Sequence, residues 1–219
     1  MLQRLLKKCA IARPSLPFLK VPVLLLLFVA SNSSWAQKNN WSFVEAQYLD
    51  ATIDDRVDVD GYAVTGAYTL FSDVFIIAQY EALEAETKIF DTLSHADINR
   101  YFIGLGYNYE FSELTQVYAI LALKNIENKA SGYKENYDGY SATLGLRSFV
   151  AEKIELNIYY SYLDIDYDNN HDHWSTIAED SNETGITGLY HISNNVSLGL
   201  GYKESDGYEQ TSVSIKYHF

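Results

Sequence analysis

From residue 41 to the end of the chain, apolar and polar positions alternate. In the last stretch, Thr211, Val213, Ile215, Tyr217 and Phe219 share one parity, and Ser212, Ser214, Lys216 and His218 share the other. Successive side chains of a strand point to opposite faces, so such a segment has an apolar, aromatic face and a polar one. The pattern recurs in ten segments, at 41–52, 60–71, 74–86, 97–111, 115–127, 137–149, 153–166, 183–192, 195–205 and 208–219. The fourth is the clearest, with Tyr101, Ile103, Leu105, Tyr107 and Tyr109 alternating with Arg100, Phe102, Gly104, Gly106 and Asn108. In the seventh, Ile154, Leu156, Ile158, Tyr160 and Tyr162 oppose Glu155, Asn157, Tyr159 and Ser161.

The apolar stripes end in tyrosine and are aliphatic in the middle. Tyr101 to Tyr109 would span about 26 Å at ~3.3 Å per residue. Tilted by ~40°, that covers roughly 20 Å, close to the ~25 Å apolar band of a membrane-spanning barrel. Aromatic residues at both ends of an apolar stripe mark two membrane interfaces. A soluble β-sandwich has no reason to place them there.

Connections alternate in length. Phe71–Asp73, Phe111–Leu114, Phe149–Glu152 and Ile192–Asn195 are tight and recur roughly every 40 residues, as expected for repeated hairpins. Longer acidic stretches lie near 53–59, 87–96, 128–136 and 167–182. In barrels of this kind short turns face the periplasm and long loops face outside. Three returning segments begin alike, with Asp60-Gly61-Tyr62, Asp138-Gly139-Tyr140 and Asp206-Gly207-Tyr208. The Asp-Gly pair predicts a tight turn or bulge, after which the tyrosine re-enters the interface. Hence the fold expected is all-β: an up-and-down antiparallel transmembrane β-barrel of ten strands. Eight strands remain the alternative if the eighth and ninth segments pair differently.

Composition sharpens this reading once the first 36 residues are set aside. Arg4, Lys7, Lys8, Arg13 and Lys20 form a basic region without acidic residues, and Val21 to Ala30 is an apolar run of ten. That run is short for a membrane helix, which needs about 20 residues. Ser34-Trp35-Ala36 places small residues where a signal peptidase inspects them, so residues 1–36 read as a cleaved signal peptide and 37–219 as the barrel domain. Cys9 precedes the apolar run and so does not fit a lipoprotein cysteine, which follows one. All three prolines, Pro14, Pro17 and Pro22, fall in the signal, whereas all 19 tyrosines follow it. Proline removes a ladder hydrogen bond, and a barrel is nearly all ladder. Removing the five basic residues of the signal leaves 29 acidic residues against 11 basic ones, a formal charge of −18. Such a surface disfavours nucleic acid as a partner.

Phe43-Val-Glu-Ala-Gln-Tyr48, the Asp-rich first loop, the Asp-Gly-Tyr repeats and Phe102-Ile-Gly-Leu-Gly-Tyr-Asn108 resemble a family of small bacterial outer-membrane β-barrels, diffusible-signal-regulated or porin-like. The resemblance covers most of residues 37–219 and implies residence in the outer membrane. The partners it implies are membrane lipid, lipopolysaccharide and the assembly machinery. The closing segment, with Tyr217 and the terminal Phe219, resembles the signal that machinery reads. The family has no agreed catalytic residues, so none is carried over.

Parity assigns Glu45, Gln47, Gln79, Glu81, Arg100, Asn108, Lys124, Arg147, Glu155, Asn157 and Lys203 to the lumen. They either line a narrow polar channel or pair with one another as a plug, since small barrels fill their interiors with side chains. Asp164, Asp166 and Asp168 carry the outward face past Tyr162, and Asn169-Asn-His-Asp-His173 follows. An EF-hand calcium loop would want Gly at Asn169 and Glu at Ser175, so that motif fails. A solvated acidic loop explains this stretch more simply than a metal site. The only metal expectation is loose divalent-cation binding, bridging to lipopolysaccharide phosphates; no other cofactor is expected. His171 and His173, with Ser161 or Ser175, resemble faintly the protease and lipid-modifying sites of other barrels, but no spacing demands either. The expected function is a non-enzymatic, porin-like or structural barrel with acidic external loops. The rivals are an adhesin acting through loops 53–59 and 167–182 and, behind it, a lipid- or peptide-hydrolysing enzyme.

Overall fold

The computed structural model describes residues 41–54, 57–89, 92–130, 133–166 and 180–219. The segment 1–36, read above as a signal, lies outside the described residues, as do Asp168, His171, His173 and Ser175. Ten strands follow in order: β1 (Phe43–Ile53), β2 (Val57–Phe71), β3 (Val74–Ile89), β4 (Thr92–Ser112), β5 (Thr115–Ala130), β6 (Tyr133–Ala151), β7 (Ile154–Asp166), β8 (Asp180–His191), β9 (Val196–Ser205) and β10 (Tyr208–His218). Each pairs antiparallel with its sequence neighbours, and β1 pairs with β10, so the sheet closes on itself. The closing ladder is continuous from Phe43↔His218 to Ile53↔Tyr208. Ten strands are present, and the eight-stranded alternative is overturned by β8 and β9, which pair with each other and with β7 and β10.

Closure turns alternation into an inside and an outside. The outward parity forms an apolar belt: Leu121 and Leu123 are 70% and 68% exposed, and Leu144, Leu200 and Ile103 are exposed with them. A belt this continuous has no place on a water-soluble surface, where apolar patches stay within a few hundred Å². Exposed aromatic side chains rim it on both sides. Tyr48, Tyr62, Tyr101, Tyr140 and Tyr162 lie towards the long connections, and Tyr68, Phe71, Tyr109, Phe111, Tyr217 and Phe219 towards the short turns. Register shifts occur at three short turns, between Thr69 and Phe71, Glu110 and Ser112, and Phe149 and Ala151.

Three expectations are corrected. First, much of the predicted loops at 87–96 and 128–136 is strand: β3 and β4 stay paired to Ile89↔Thr92, and β5 and β6 to Ala130↔Tyr133. Above the belt both faces meet water, so alternation fades while the ladder continues. There Lys129 and Lys134 both reach Glu127 at 2.5 Å and hold the β5–β6 hairpin together. Second, only one Asp-Gly pair makes a turn. Gly207 has a φ of 70° and its carbonyl accepts the Asp54 N–H at 2.7 Å, whereas Gly61 and Gly139 lie within β2 and β6. Third, Tyr62 and Tyr140 face outward as expected, but Tyr208 points inward, because it pairs directly with inward-facing Ser205 across the two-residue turn.

The interior is not uniformly polar. Leu49, Val59, Leu83, Ile98, Ile126 and Ile165 form an apolar collar towards the long-connection end. Trp41, Phe43, Phe75, Ile77 and Tyr118 form a second cluster at the short-turn end, which by the usual orientation is periplasmic. Some of the charged residues, Arg147 and Lys216 among them, lie against the rings of this second cluster.

Candidate functional site in the lumen

The periplasmic cluster is a floor built by aromatic side chains lying on glycine. Phe75 on β3 pairs across the ladder with Gly106 on β4, and Tyr118 on β5 with Gly145 on β6. A Cβ at either glycine would sit 2.1–2.2 Å from the partner ring, so only glycine lets these rings lie flat against the wall. Trp41, just ahead of β1, stacks on Phe75 with ring centroids 4.0 Å apart and meets Tyr118 edge-on at 4.9 Å. Its indole N–H donates to Gln116 Oε1 at 3.1 Å, and the Arg147 guanidinium lies 5.4 Å from its ring. Stacking, a satisfied polar tip and a cation over the ring all fix one orientation.

Next to the floor sits a closely paired ionic layer. Arg147 on β6 grips Glu155 on β7 bidentately, Nε to Oε1 at 2.6 Å and Nη2 to Oε2 at 2.9 Å. The same carboxylate meets His191 Nε2 at 3.1 Å, and His191 Nδ1 meets Ser197 Oγ at 2.9 Å. Lys216 on β10 reaches Glu45 on β1 at 2.9 Å. Short, bidentate, charge-assisted contacts of this kind are the strong ones. Ser197, His191 and Glu155 have the connectivity of a hydrolytic triad. However, Ser197 is 0% exposed and Glu155 is committed to Arg147, so no substrate reaches the hydroxyl.

A second, looser ionic layer lies higher in the lumen. Arg100 Nη1 stands 3.5 Å from Glu81, Lys203 Nζ stands 3.5 Å from Glu81 and 3.6 Å from Glu183, and Lys124 projects among them. Tyr208 supplies one wall, with Arg100 and Lys203 at 4.8 and 5.7 Å from its ring centroid. A cavity of about 330 Å³ threads both layers, from the Trp41 floor to Ser205 and Asp206 beside the outer β9–β10 turn.

Thus Glu45, Glu81, Arg100, Lys124, Arg147, Glu155 and Lys203 all line the lumen, with Gln47, Gln79 and Asn157. Asn108 is buried and donates to the Asp73 carbonyl at 3.0 Å. Outside, Asp164 accepts a hydrogen bond from Tyr140, Asp166 ends β7, and Asp168 falls beyond the described residues. Among the described residues no three carboxylate, imidazole or thiol side chains gather as a metal site. Ser161 exchanges a hydrogen bond with Thr143 at 2.8 Å and meets no histidine among the described residues. Trp41, Tyr118, Glu183, His191 and Lys216 completed the interior without being singled out from sequence. Inward parity marks all but Trp41, yet Gly185 and Gly188 blur the pattern around Glu183 and His191.

No family model matches the sequence, and no curated protein matches it. Solved structures do share its shape. The NanC porin superposes with a TM-score of 0.51 at 8% identity, covering 80% of this chain and 98% of its own. The β domain of the Bordetella autotransporter BrkA gives 0.48 at 9%, covering 81% and 98%. An outer-membrane channel from Pseudomonas putida F1 gives 0.47 at 8%, covering 81% and 94%. Likeness at such identity speaks for the fold, which hosts many functions. The chain has the fold of an outer-membrane β-barrel: a closed, antiparallel, ten-stranded sheet with an apolar outward belt.

Proposed function

We propose that the protein is a non-enzymatic, porin-like barrel held closed at its periplasmic end, with a lumenal cup reached from outside. The observation that carries this is the floor: Trp41 stacked on Phe75, wedged by Tyr118 and tied to the Arg147–Glu155 pair. An aromatic plate backed by a close ion pair blocks a ten-stranded lumen without needing an inserted loop. Passage of a solute then requires Trp41 to leave its seat. The motif resemblance to small porin-like barrels supports the same reading. The acidic residues of the outer rim favour cation-bridged contact with lipopolysaccharide as a subsidiary role. The β3–β4 and β5–β6 hairpins, which extend above the belt, also favour an adhesin-type surface role as a second reading. A cell-binding assay of barrels with these hairpins shortened tests it.

Planar-bilayer recording on the refolded barrel tests the main reading. Wild type is expected to be nearly silent, and Trp41→Ala to show steady openings. Steady conductance in wild type would overturn the closed floor. Silence in both would overturn the porin-like role and leave a purely structural barrel.

A further inference from the structure

The two ionic layers of the lumen differ in a way that packing alone does not require. In the lower layer, Arg147 and Lys216 face Glu155 and Glu45, charge for charge, with contacts of 2.6–2.9 Å. In the upper layer three cations, Arg100, Lys124 and Lys203, face two carboxylates, Glu81 and Glu183. Every ion pair there is long, at 3.5–3.6 Å, beyond ordinary hydrogen-bond geometry. Lys124 makes no hydrogen bond or ion pair among the described residues. Arg100 Nε and, facing its guanidinium, Glu81 Oε2 are both buried without a hydrogen-bond partner, so donor and acceptor stand apart across the gap. A barrel that needed only to fill its lumen would close these pairs as the lower layer does, with short charge-assisted contacts. Asp206 balances the cavity's charge at its outer end. Within this layer, however, three cations held apart around open space exceed the carboxylates by one, which describes a receptor for something negative.

We propose that this upper layer is a binding site for a small oxyanion carrying one net negative charge, a carboxylate or a phosphate. Lys124, the Arg100 guanidinium edge and Lys203 donate to its oxygens. The single excess charge matches a monoanion, and Glu81 and Glu183 repel a more highly charged ligand. The ring of Tyr208 forms an apolar wall for the ligand's carbon frame. On the same cavity wall the hydroxyl pair of Thr143 and Ser161, 2.8 Å apart, offers a donor or an acceptor by rotation. At about 330 Å³ the cavity stands near the lower end of the ~300–1,000 Å³ range of small-molecule sites. The proposal rests on the reading of the lumen as an outward-facing cup, and gives that cup a ligand class.

Isothermal titration of the refolded residue 37–219 barrel in zwitterionic micelles, at fixed low ionic strength, tests it without passing current. The probes are lactate for the carboxylate, inorganic phosphate, chloride as a simple counter-ion, and choline as a cationic control. Saturable heat with lactate, phosphate or both supports the site and identifies the oxyanion. Lys124→Gln should weaken that binding by about tenfold, the usual loss for one charge-assisted hydrogen bond. Lys124→Arg should largely retain it, and Lys134→Gln, outside the lumen, should leave it unchanged. Absence of saturable oxyanion binding by wild type overturns the proposal, as does binding of chloride alone, preference for choline, or indifference to Lys124→Gln. Should Lys124→Gln fail to refold, the wild-type and Lys124→Arg titrations still decide. Openings in Trp41→Ala without oxyanion binding in wild type would sink this site while leaving the porin-like reading intact.

Discussion

Arg100 and Arg147 occupy equivalent positions in the alternation, yet their surroundings make them different residues. Arg147 is buried in a bidentate pair whose carboxylate is shared with His191, and its guanidinium also stacks over Trp41. Arg100 has a side chain 23% exposed to the cavity and stands 3.5 Å from its carboxylate. Breaking a fully buried pair leaves an uncompensated charge and costs about 3–5 kcal/mol, whereas a wet, loosely held pair costs much less. Arg147→Ala is therefore expected to lower the urea unfolding midpoint of the refolded barrel strongly, and Arg100→Ala to move it little. Equal losses for the two would show that the layers are equally rigid, against the distances seen here. Parity alone places both arginines inside. It cannot give their partners, because Glu81 and Lys203 are 122 residues apart and meet only once the barrel has closed in one register.

Among the strands, the sequence is most informative where lipid touches the wall and least where water does. β7 and β10 read cleanly because one face must be apolar along the whole belt. The tops of β3 to β6 do not, because outside the membrane a ladder needs no alternation, and those residues resemble loop. The repeated Asp-Gly-Tyr fails as a turn marker for a related reason: glycine serves a φ of 70° at Gly207 but close backbone packing at Gly61 and Gly139. A Cβ at Gly61 would lie 2.1 Å from the Ala82 carbonyl oxygen. β10 is the strand whose loss should matter most. Its outward Val213, Ile215, Tyr217 and Phe219 are all exposed to lipid, and Tyr68, Tyr217 and Phe219 stack along the periplasmic rim with centroids 6.5 Å apart. Tyr217→Ser with Phe219→Ser removes those anchors and, on the resemblance of this terminus to an assembly signal, its recognition. Membrane yield and heat-modifiable gel migration should both fall sharply. Normal yield and migration would show that neither aromatic contributes to assembly.

At the scale of the whole molecule, the lumen exists only because β1 meets β10. The floor draws on Trp41 ahead of β1, Phe75 on β3 and Tyr118 on β5. The lower ionic layer joins β1 to β10 through Glu45 and Lys216, and β6 to β7 and β8 through Arg147, Glu155 and His191. Without the closing ladder these groups would face solvent or lipid on an open edge. The register makes this testable, because residues 37–219 contain no cysteine. Ala46 pairs with Ile215 on the outer face, and Gln47 pairs with Ser214 on the inner face. In an antiparallel ladder, adjacent pairs alternate between Cα separations of about 4.5 and 5.5 Å, and both lie within the roughly 4.4–6.8 Å span of a disulfide. The double variants Ala46→Cys/Ile215→Cys and Gln47→Cys/Ser214→Cys should therefore oxidise in the folded barrel. The crosslinked chains should migrate anomalously on denaturing gels and revert on reduction. A control pair shifted by one residue, Ala46→Cys/Ser214→Cys, points its side chains to opposite faces and should stay reduced. Crosslinking in the control but in neither registered pair would mean the barrel closes one residue out of step. That slip would turn the inward polar groups of one closing strand towards lipid, and the lumenal ion pairs across the seam could not form.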